Sequence, residues 1–107
     1  MPALLIVDVL EVKDEEGYRQ YREQVPATLA KFGATYLARG HNISVFDGDW
    51  DPKRIVVVQF PSLDAAREWW KSELYADLKK LRRRSTRMNM VLVEAFPEPT
   101  SSPKAGT

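Results

Sequence analysis

Residues 3–12 read ALLIVDVLEV, and this stretch decides the fold because the strand that it predicts is apolar on both faces as far as residue 10. Side chains alternate between the two faces of a strand. One face therefore carries Leu4, Ile6 and Leu10, and the other carries Leu5, Val7 and Val9. An antiparallel sheet with one face in water would instead alternate apolar and polar residues.

Two further predicted strands repeat this pattern, residues 54–60 (RIVVVQF) and residues 88–96 (MNMVLVEAF). Two helices can cover only one face of such a sheet. Each large side chain left in water on the other face forgoes roughly 1.5–3 kcal/mol of burial. An exposed apolar patch of that size usually marks an interface. We therefore expect two copies of the chain to pack sheet against sheet as a homodimer.

A helix is predicted from Asp14, which can cap its first turn, to Gly33, a natural residue for its C-terminal end. Apolar residues recur within it at steps of three and four, as on one face of an amphipathic helix: Tyr18, Tyr21, Val25, Leu29 and Phe32. Pro26 lies inside this pattern. Because proline removes a backbone hydrogen bond and clashes with the preceding turn, we expect a kink or a break there.

The rest of the chain supplies the remaining elements. Strands are predicted over 34–38 and 43–46, separated by a bend over 39–42. Ser62 and Ser72 are predicted to cap two helical segments, over 63–71 and to about residue 84. The order β-α-β-β-α-β predicts an α+β fold of the ferredoxin-like type, an antiparallel sheet with its helices on one face.

Composition excludes several classes of protein. The 107 residues contain sixteen Lys and Arg against fifteen Asp and Glu, so the chain is not globally basic like many nucleic-acid proteins. The absence of Cys excludes disulfides, thiol catalysis and Cys-based metal sites. With neither a signal peptide nor a membrane span recognisable in the sequence, we expect a cytoplasmic protein. Residues 1–96 are predicted to form the folded domain, and residues 97–107, rich in Pro and Ser, a disordered tail.

A few polar side chains lie among apolar neighbours and form the candidate site. Arg39 and His41 flank Gly40 in the predicted bend; Arg39 has a donor fork suited to an anionic oxygen, and His41 is the default acid or base. These two are the candidate catalytic residues. The candidate substrate-binding residues are Asp8, Tyr21, Tyr36 and Trp69. Asp8 needs a partner if it is buried, and Arg39 is one candidate.

Other features favour structural interpretations. The segment 47–51 (DGDWD) resembles the start of a calcium loop, but Pro52 and Val58 stand where that loop needs Gly and Glu, so no metal site is predicted. Residues 79–87 hold six cations, which we interpret as a solvated helix end rather than as a phosphate or nucleic-acid site. The strand 53–60 lacks the exposed aromatic residues of an RNA-recognition motif.

Several blocks of this sequence together resemble the bacterial DUF1330 family, a family of unknown function. They are Ile6-Val7-Asp8-Val9, Tyr18-Arg19-Gln20-Tyr21, Tyr36-Leu37-Ala38-Arg39-Gly40, Gly48-Asp49-Trp50-Asp51-Pro52 and Ala65-Ala66-Arg67-Glu68-Trp69-Trp70. The resemblance covers about residues 2–96. It implies membership of the dimeric α+β barrel superfamily, and so the same homodimer. Family members often have Gly after the Arg-Gly pair, where this chain has His41.

Three hypotheses about function follow. The first is a homodimer that binds a small organic molecule, with cofactor-free proton transfer (isomerisation, cyclisation or lactone opening) as the reaction if it is an enzyme. His41 would then act as acid or base and Arg39 would hold an enolate oxygen. The second is a non-catalytic dimeric sensor or accessory module. The third is haem binding through His41 as axial ligand. The first two need no cofactor, no nucleic acid and no membrane.

Overall fold

A computed structural model describes residues 1–97 of the chain. Four strands and three helices follow in the order β1 (Ala3–Val12), α1 (Glu15–Ala30), β2 (Thr35–Gly40), β3 (Ile55–Phe60), α2 (Leu63–Lys71), α3 (Glu73–Ser85) and β4 (Thr86–Glu94). The two predicted helical segments are confirmed as α2 and α3, which meet at Ser72, whose hydroxyl accepts from the Tyr75 N–H. The part of the predicted tail beyond residue 97 lies outside the described residues.

The sheet is antiparallel, with the strand order β2-β3-β1-β4, so the apolar strand β1 lies at its centre. β1 pairs with β3 through Val7 opposite Val56, and with β4 through Val7 opposite Met90. The ferredoxin-like fold predicted from the sequence is confirmed.

The two faces of the sheet differ in how well they are covered. Leu5, Val7 and Val9 of β1 are buried beneath the helices. The opposite face, which we call the open face, carries Leu4, Ile6 and Leu10 of β1, only partly buried, beside their β3 and β4 neighbours. On β4 this face leaves Val91 59% and Val93 47% exposed. Within residues 1–97, the helices therefore cover one apolar face and leave the other accessible.

Of the kink or break predicted at Pro26, the break is wrong, because the helix α1 runs unbroken through that residue. The proline costs roughly 3 kcal/mol in a helix interior. Burial of the apolar stripe on both sides of it, which includes Tyr18, Tyr21 and Leu29, contributes roughly 1.5–3 kcal/mol for each side chain. Packing against the sheet therefore outweighs the loss. The predicted end is confirmed, because Gly33 adopts φ 76° and its N–H donates to the Ala30 carbonyl.

The predicted strand over 43–46 is wrong. Residues 41–54 form an irregular loop between β2 and β3. Gly40 pairs with Ile55, and continuing that register would place Ile43 opposite Pro52, which has no N–H to donate to a ladder. The loop is instead attached to the open face, where the Trp50 indole N–H donates to Asp8 Oδ2 over 2.9 Å.

In the described part of the chain, no helix combines the length and the apolar character needed to cross a membrane.

Gly17 is the point where α1 approaches the end of α3 most closely. A Cβ added there would lie 2.1 Å from Ser85 Oγ and 3.1 Å from Ser85 Cβ. We expect Gly17→Ala to lower the free energy of unfolding by about 1–3 kcal/mol, because the fully buried Ser85 must be displaced. Alanine's intrinsic helix preference over glycine, about 1 kcal/mol, acts in the opposite direction.

Urea denaturation of the two proteins measures this difference. Gly40→Ala is the matched control, because no atom lies within 4 Å of a Cβ added at Gly40. We expect that control to unfold within about 0.5 kcal/mol of the original chain. A Gly17→Ala protein as stable as the Gly40→Ala protein would show that the contact with Ser85 relaxes at no cost.

Candidate functional site

A cavity of about 50 Å³ lies between α1 and the helix-covered face of the sheet. Its floor is apolar and comes from the three strands β1, β3 and β4, with Val7, Val58 and Met90 among its residues. Its walls are aromatic and its mouth is basic. We call this space the helix–sheet cavity.

Three arginines from three different elements line the helix–sheet cavity: Arg22 of α1, Arg39 of β2, and Arg54 directly before β3. The Arg22 guanidinium stacks on the Tyr18 ring at 4.9 Å and the Arg39 guanidinium stacks on the Tyr36 ring at 4.5 Å. The Nε of Arg54 is buried and makes no hydrogen bond within the described residues. A buried cationic donor without a partner is costly, so this atom is a strong candidate to meet a ligand.

No carboxylate balances these charges inside the helix–sheet cavity, as judged from residues 1–97. Glu11 and Glu15 line a neighbouring depression together with Arg22 and Arg54. Neither acid lies within 4.0 Å of those two arginines in the described chain. The mouth of the helix–sheet cavity is therefore positively charged.

A β-bulge in β2 brings Tyr36 and Arg39 to the same face. In a regular strand, residues three apart would point to opposite faces. The register shifts between Tyr36 and Ala38, so that Tyr36 lies opposite Val58 and Arg39 opposite Val56, both on the helix-covered face. Bulges of this kind commonly re-aim a side chain beside a functional site.

Tyr36 supplies a protonated phenol. Burial raises the pKa of Tyr36, an effect that the Arg39 guanidinium partly opposes. Tyr36 therefore stays protonated at neutral pH and can donate to an anionic oxygen. Arg39 is the polar neighbour of its hydroxyl, whereas the Tyr18 hydroxyl has no hydrogen-bond partner among the described side chains and backbone.

Tyr21 differs, because its hydroxyl belongs to a buried polar chain. Tyr21 Oη and Tyr75 Oη share a hydrogen bond of 2.9 Å, and Arg82 Nε donates to Tyr75 Oη over 3.1 Å. Burial, first of all, raises the pKa of Tyr21 well above its usual range. Its ring lines the helix–sheet cavity while its hydroxyl holds the core together.

The adjacent tryptophans Trp69 and Trp70 have different environments, one in the core and one at an edge. Trp69 is buried; its indole N–H donates to Thr28 Oγ1 over 3.0 Å, so the helix–sheet cavity meets its ring rather than its donor. Trp70 is only partly buried, and Lys79 lies 4.1 Å from its ring centre.

The structure brings four of the six predicted site residues together, namely Arg39, Tyr21, Tyr36 and Trp69. His41 is exposed in the loop after β2 and does not line the helix–sheet cavity. Asp8 lies on the opposite, open face of the sheet and is held by Trp50. The suggested pairing of Asp8 with Arg39 is therefore wrong, because the sheet separates them.

Sequence reasoning missed Arg22 and Arg54 as site residues. The sequence does contain the pattern that places them. Arg54 alternates with Val56 and Val58 on one face of β3, and Arg22 follows Tyr18 by four residues on one face of α1. The cations of residues 79–87 were predicted to be solvated. This is wrong for Arg82, which is buried with 6% exposure.

Similar structures share the fold at low sequence identity. A protein of unknown function from Rhodopseudomonas palustris, RPA0582, has 14% identity and a TM-score of 0.73, with 91% of this chain and 84% of that one covered. A dimeric ferredoxin-like protein of unknown function from Jannaschia sp. CCS1 has 15% identity and a TM-score of 0.63, with coverage of 89% and 100%. A point mutant of SnoaB, a cofactor-independent oxygenase from Streptomyces nogalater, has 14% identity and a TM-score of 0.55, with coverage of 91% and 98%.

A search of curated proteins finds none that matches this chain. The family model described as Domain of unknown function (DUF1330), in contrast, matches residues 2–96, nearly the whole described chain. This match agrees with the sequence blocks that suggested the family. The chain belongs to the DUF1330 family.

Proposed function

We propose that this protein is a homodimer that binds a small organic anion in the helix–sheet cavity. One observation carries the proposal: three arginines from separate elements surround an apolar cavity whose described lining has no carboxylate. The buried, unpartnered Nε of Arg54 supports it further. An anion would supply the missing partner, and guanidinium groups bind carboxylates and enolates through paired donors.

The size of the helix–sheet cavity limits the ligand. The cavity volume of about 50 Å³ holds a few waters, whereas pockets for drug-sized ligands run from roughly 300 Å³ upward. A single ring or short apolar chain, with its anionic group at the arginines of the mouth, suits these dimensions. Arg39 is exposed, so it can adjust to ligands that extend outward.

The same groups suit a bound enolate or ring-opening intermediate. Arg39 and the protonated Tyr36 phenol would stabilise a developing oxyanion, which is the larger part of what a cofactor-free isomerase, cyclase or lactone-opening enzyme needs. A general base is not present among the described lining residues. If catalysis occurs, His41 in the neighbouring loop is our candidate for that role. Without a general base, the site works as the ligand pocket of a sensor or accessory module.

Dimerisation is proposed through the open face. Apolar side chains on three neighbouring strands are left accessible there, and a second copy would bury them at roughly 1.5–3 kcal/mol for each large side chain. The dimeric ferredoxin-like proteins from Jannaschia sp. CCS1 and Bacteroides fragilis share this fold. The cofactor-independent oxygenase SnoaB shows that this fold can carry chemistry without a cofactor.

Benzoate and its neutral isostere benzamide test the anion site. We expect benzoate to bind the dimer more tightly than benzamide, and Arg39→Lys to weaken benzoate binding about tenfold or more, because a point charge cannot reproduce the donor fork. Isothermal titration calorimetry measures both. Stability should not change, since Arg39 is exposed.

Arg84→Lys is the matched control, because Arg84 is exposed at the end of α3 and does not line the helix–sheet cavity. Its affinity for benzoate should equal that of the original chain. Equal affinities for benzoate and benzamide, or equal losses in the two variants, would contradict an anion site at Arg39.

The open face is tested by a charge placed on it. Val91→Glu should convert a dimer of about 25 kDa, twice the 12.3 kDa chain, into a monomer at micromolar concentration, since the interface would then bury an unpaired carboxylate. Sedimentation velocity measures the mass. Leu74→Glu is the control, because Leu74 on α3 is 48% exposed but lies away from the open face. A monomeric original chain, or a Val91→Glu dimer, would exclude this interface.

A further inference from the structure

A second basic depression lies at the junction of α3 and β4. It is an open depression of about 430 Å³; Lys13, Arg82 and Arg83 are among its polar lining residues, and Trp70, Met88 and Met90 form its apolar part. It shares only Met88 and Met90 with the helix–sheet cavity. We call it the α3–β4 depression.

Arg82 is the residue that distinguishes this depression from an ordinary basic surface. Its side chain is buried with 6% exposure, and its Nε donates to Tyr75 Oη. Its two Nη groups have no hydrogen bond or ion pair within residues 1–97. Neither Nη is among the buried polar atoms that lack a partner, so both reach the surface, while the rest of the side chain is held in the core. Arg82 therefore presents unused donors to the α3–β4 depression from a fixed position.

The charged side chains that share the Trp70 ring with Arg82 are all positive. Arg82 and Arg83 each lie 5.8 Å from the centre of the Trp70 ring, which Lys79 also contacts. Desolvation, together with Arg83 and Arg82, lowers the pKa of Lys79. Arg87 on the rim has an acidic partner, Glu11 at 3.4 Å. Lys13, Lys79, Arg82 and Arg83 have no carboxylate within 4.0 Å in the described chain.

Compensation of the helix dipole explains only part of this cluster. The negative end of a helix dipole stabilises cations in the last turn. Solvent-exposed side chains are sufficient for this stabilisation. Arg84 fulfils this role while exposed. Dipole compensation does not require Arg82 to be buried, and it does not explain Lys13, which comes from the turn after β1.

We propose that the α3–β4 depression binds a small phosphate monoester. Its dianionic head would be held by Arg82, Arg83 and Lys13, and its apolar part would lie on Met88 and Met90 beside Trp70. A phosphate matches the site better than a carboxylate, because its three terminal oxygens can accept from several cations at once. This site is separate from the one under the proposed function and stands or falls independently of it.

Phenyl phosphate is the probe, titrated calorimetrically into the full chain. We expect one phenyl phosphate per chain, weaker binding of inorganic phosphate, and no binding of phenol. Arg83→Glu and Lys13→Glu should each weaken phenyl phosphate binding about tenfold or more, because each removes a charge-assisted contact from a different element. Arg84→Glu introduces the same charge change one residue along α3, outside the depression, and should alter the affinity less than about threefold.

Three results would overturn the proposal. One is the absence of phenyl phosphate binding by the folded original chain. Another is an equal loss in the Arg83→Glu and Arg84→Glu variants, which would indicate general electrostatic attraction. The third is displacement of phenyl phosphate by benzoate or by a single-stranded oligonucleotide. Benzoate competition would place the phosphate in the helix–sheet cavity, and oligonucleotide competition would make the basic surface a nucleic-acid site.

Discussion

The rest of the structure depends on one constraint, a central strand that is apolar on both faces. β1 pairs on both sides, so its backbone hydrogen bonds are satisfied within the sheet, and only its faces remain to be covered. The helices cover the face of Leu5, Val7 and Val9. Within residues 1–97, the loop held by Trp50 contacts the other face, but it leaves Val91 and Val93 of that face about half exposed. A second copy of the chain is the natural solution.

The helix-covered face becomes a site because packing there is incomplete. The helix–sheet cavity remains between α1 and the sheet, and two of its three arginines enter it where regular structure is interrupted. Arg39 follows the bulge of β2, and Arg54 precedes the first residue of β3. An apolar interior with cations at its edge favours ligands that have the same division into an apolar body and an anionic end.

The sequence was sufficient for the fold, because periodicity and caps dominate the local energetics. β1 was predicted with its observed bounds, and Asp14, Ser62 and Ser72 act as the predicted caps. The errors occurred where long-range effects override local ones. Packing along α1 outweighs the cost of Pro26, and Pro52 prevents residues 43–46 from pairing.

The candidate site was harder to predict, because its residues meet only through tertiary structure. Tyr36 and Arg39 share a face because of a bulge in β2, and no residue pattern predicted that bulge. Arg82 was assigned to a solvated cluster, although Tyr75, seven residues earlier, binds it in the core. His41 was predicted as the acid or base and Asp8 as a substrate-binding residue. The fold places both of them outside the helix–sheet cavity.

Protection of the open face in solution tests the central claim most directly. Because the chain has no Cys, Ile6→Cys would introduce a single thiol at the centre of that face. The account predicts that a maleimide reagent labels this thiol slowly at micromolar protein and faster on dilution, as the dimer dissociates. Lys31→Cys, exposed at the end of α1, should react quickly at every concentration. Equal and concentration-independent labelling of the two thiols would contradict a sheet covered by a second copy.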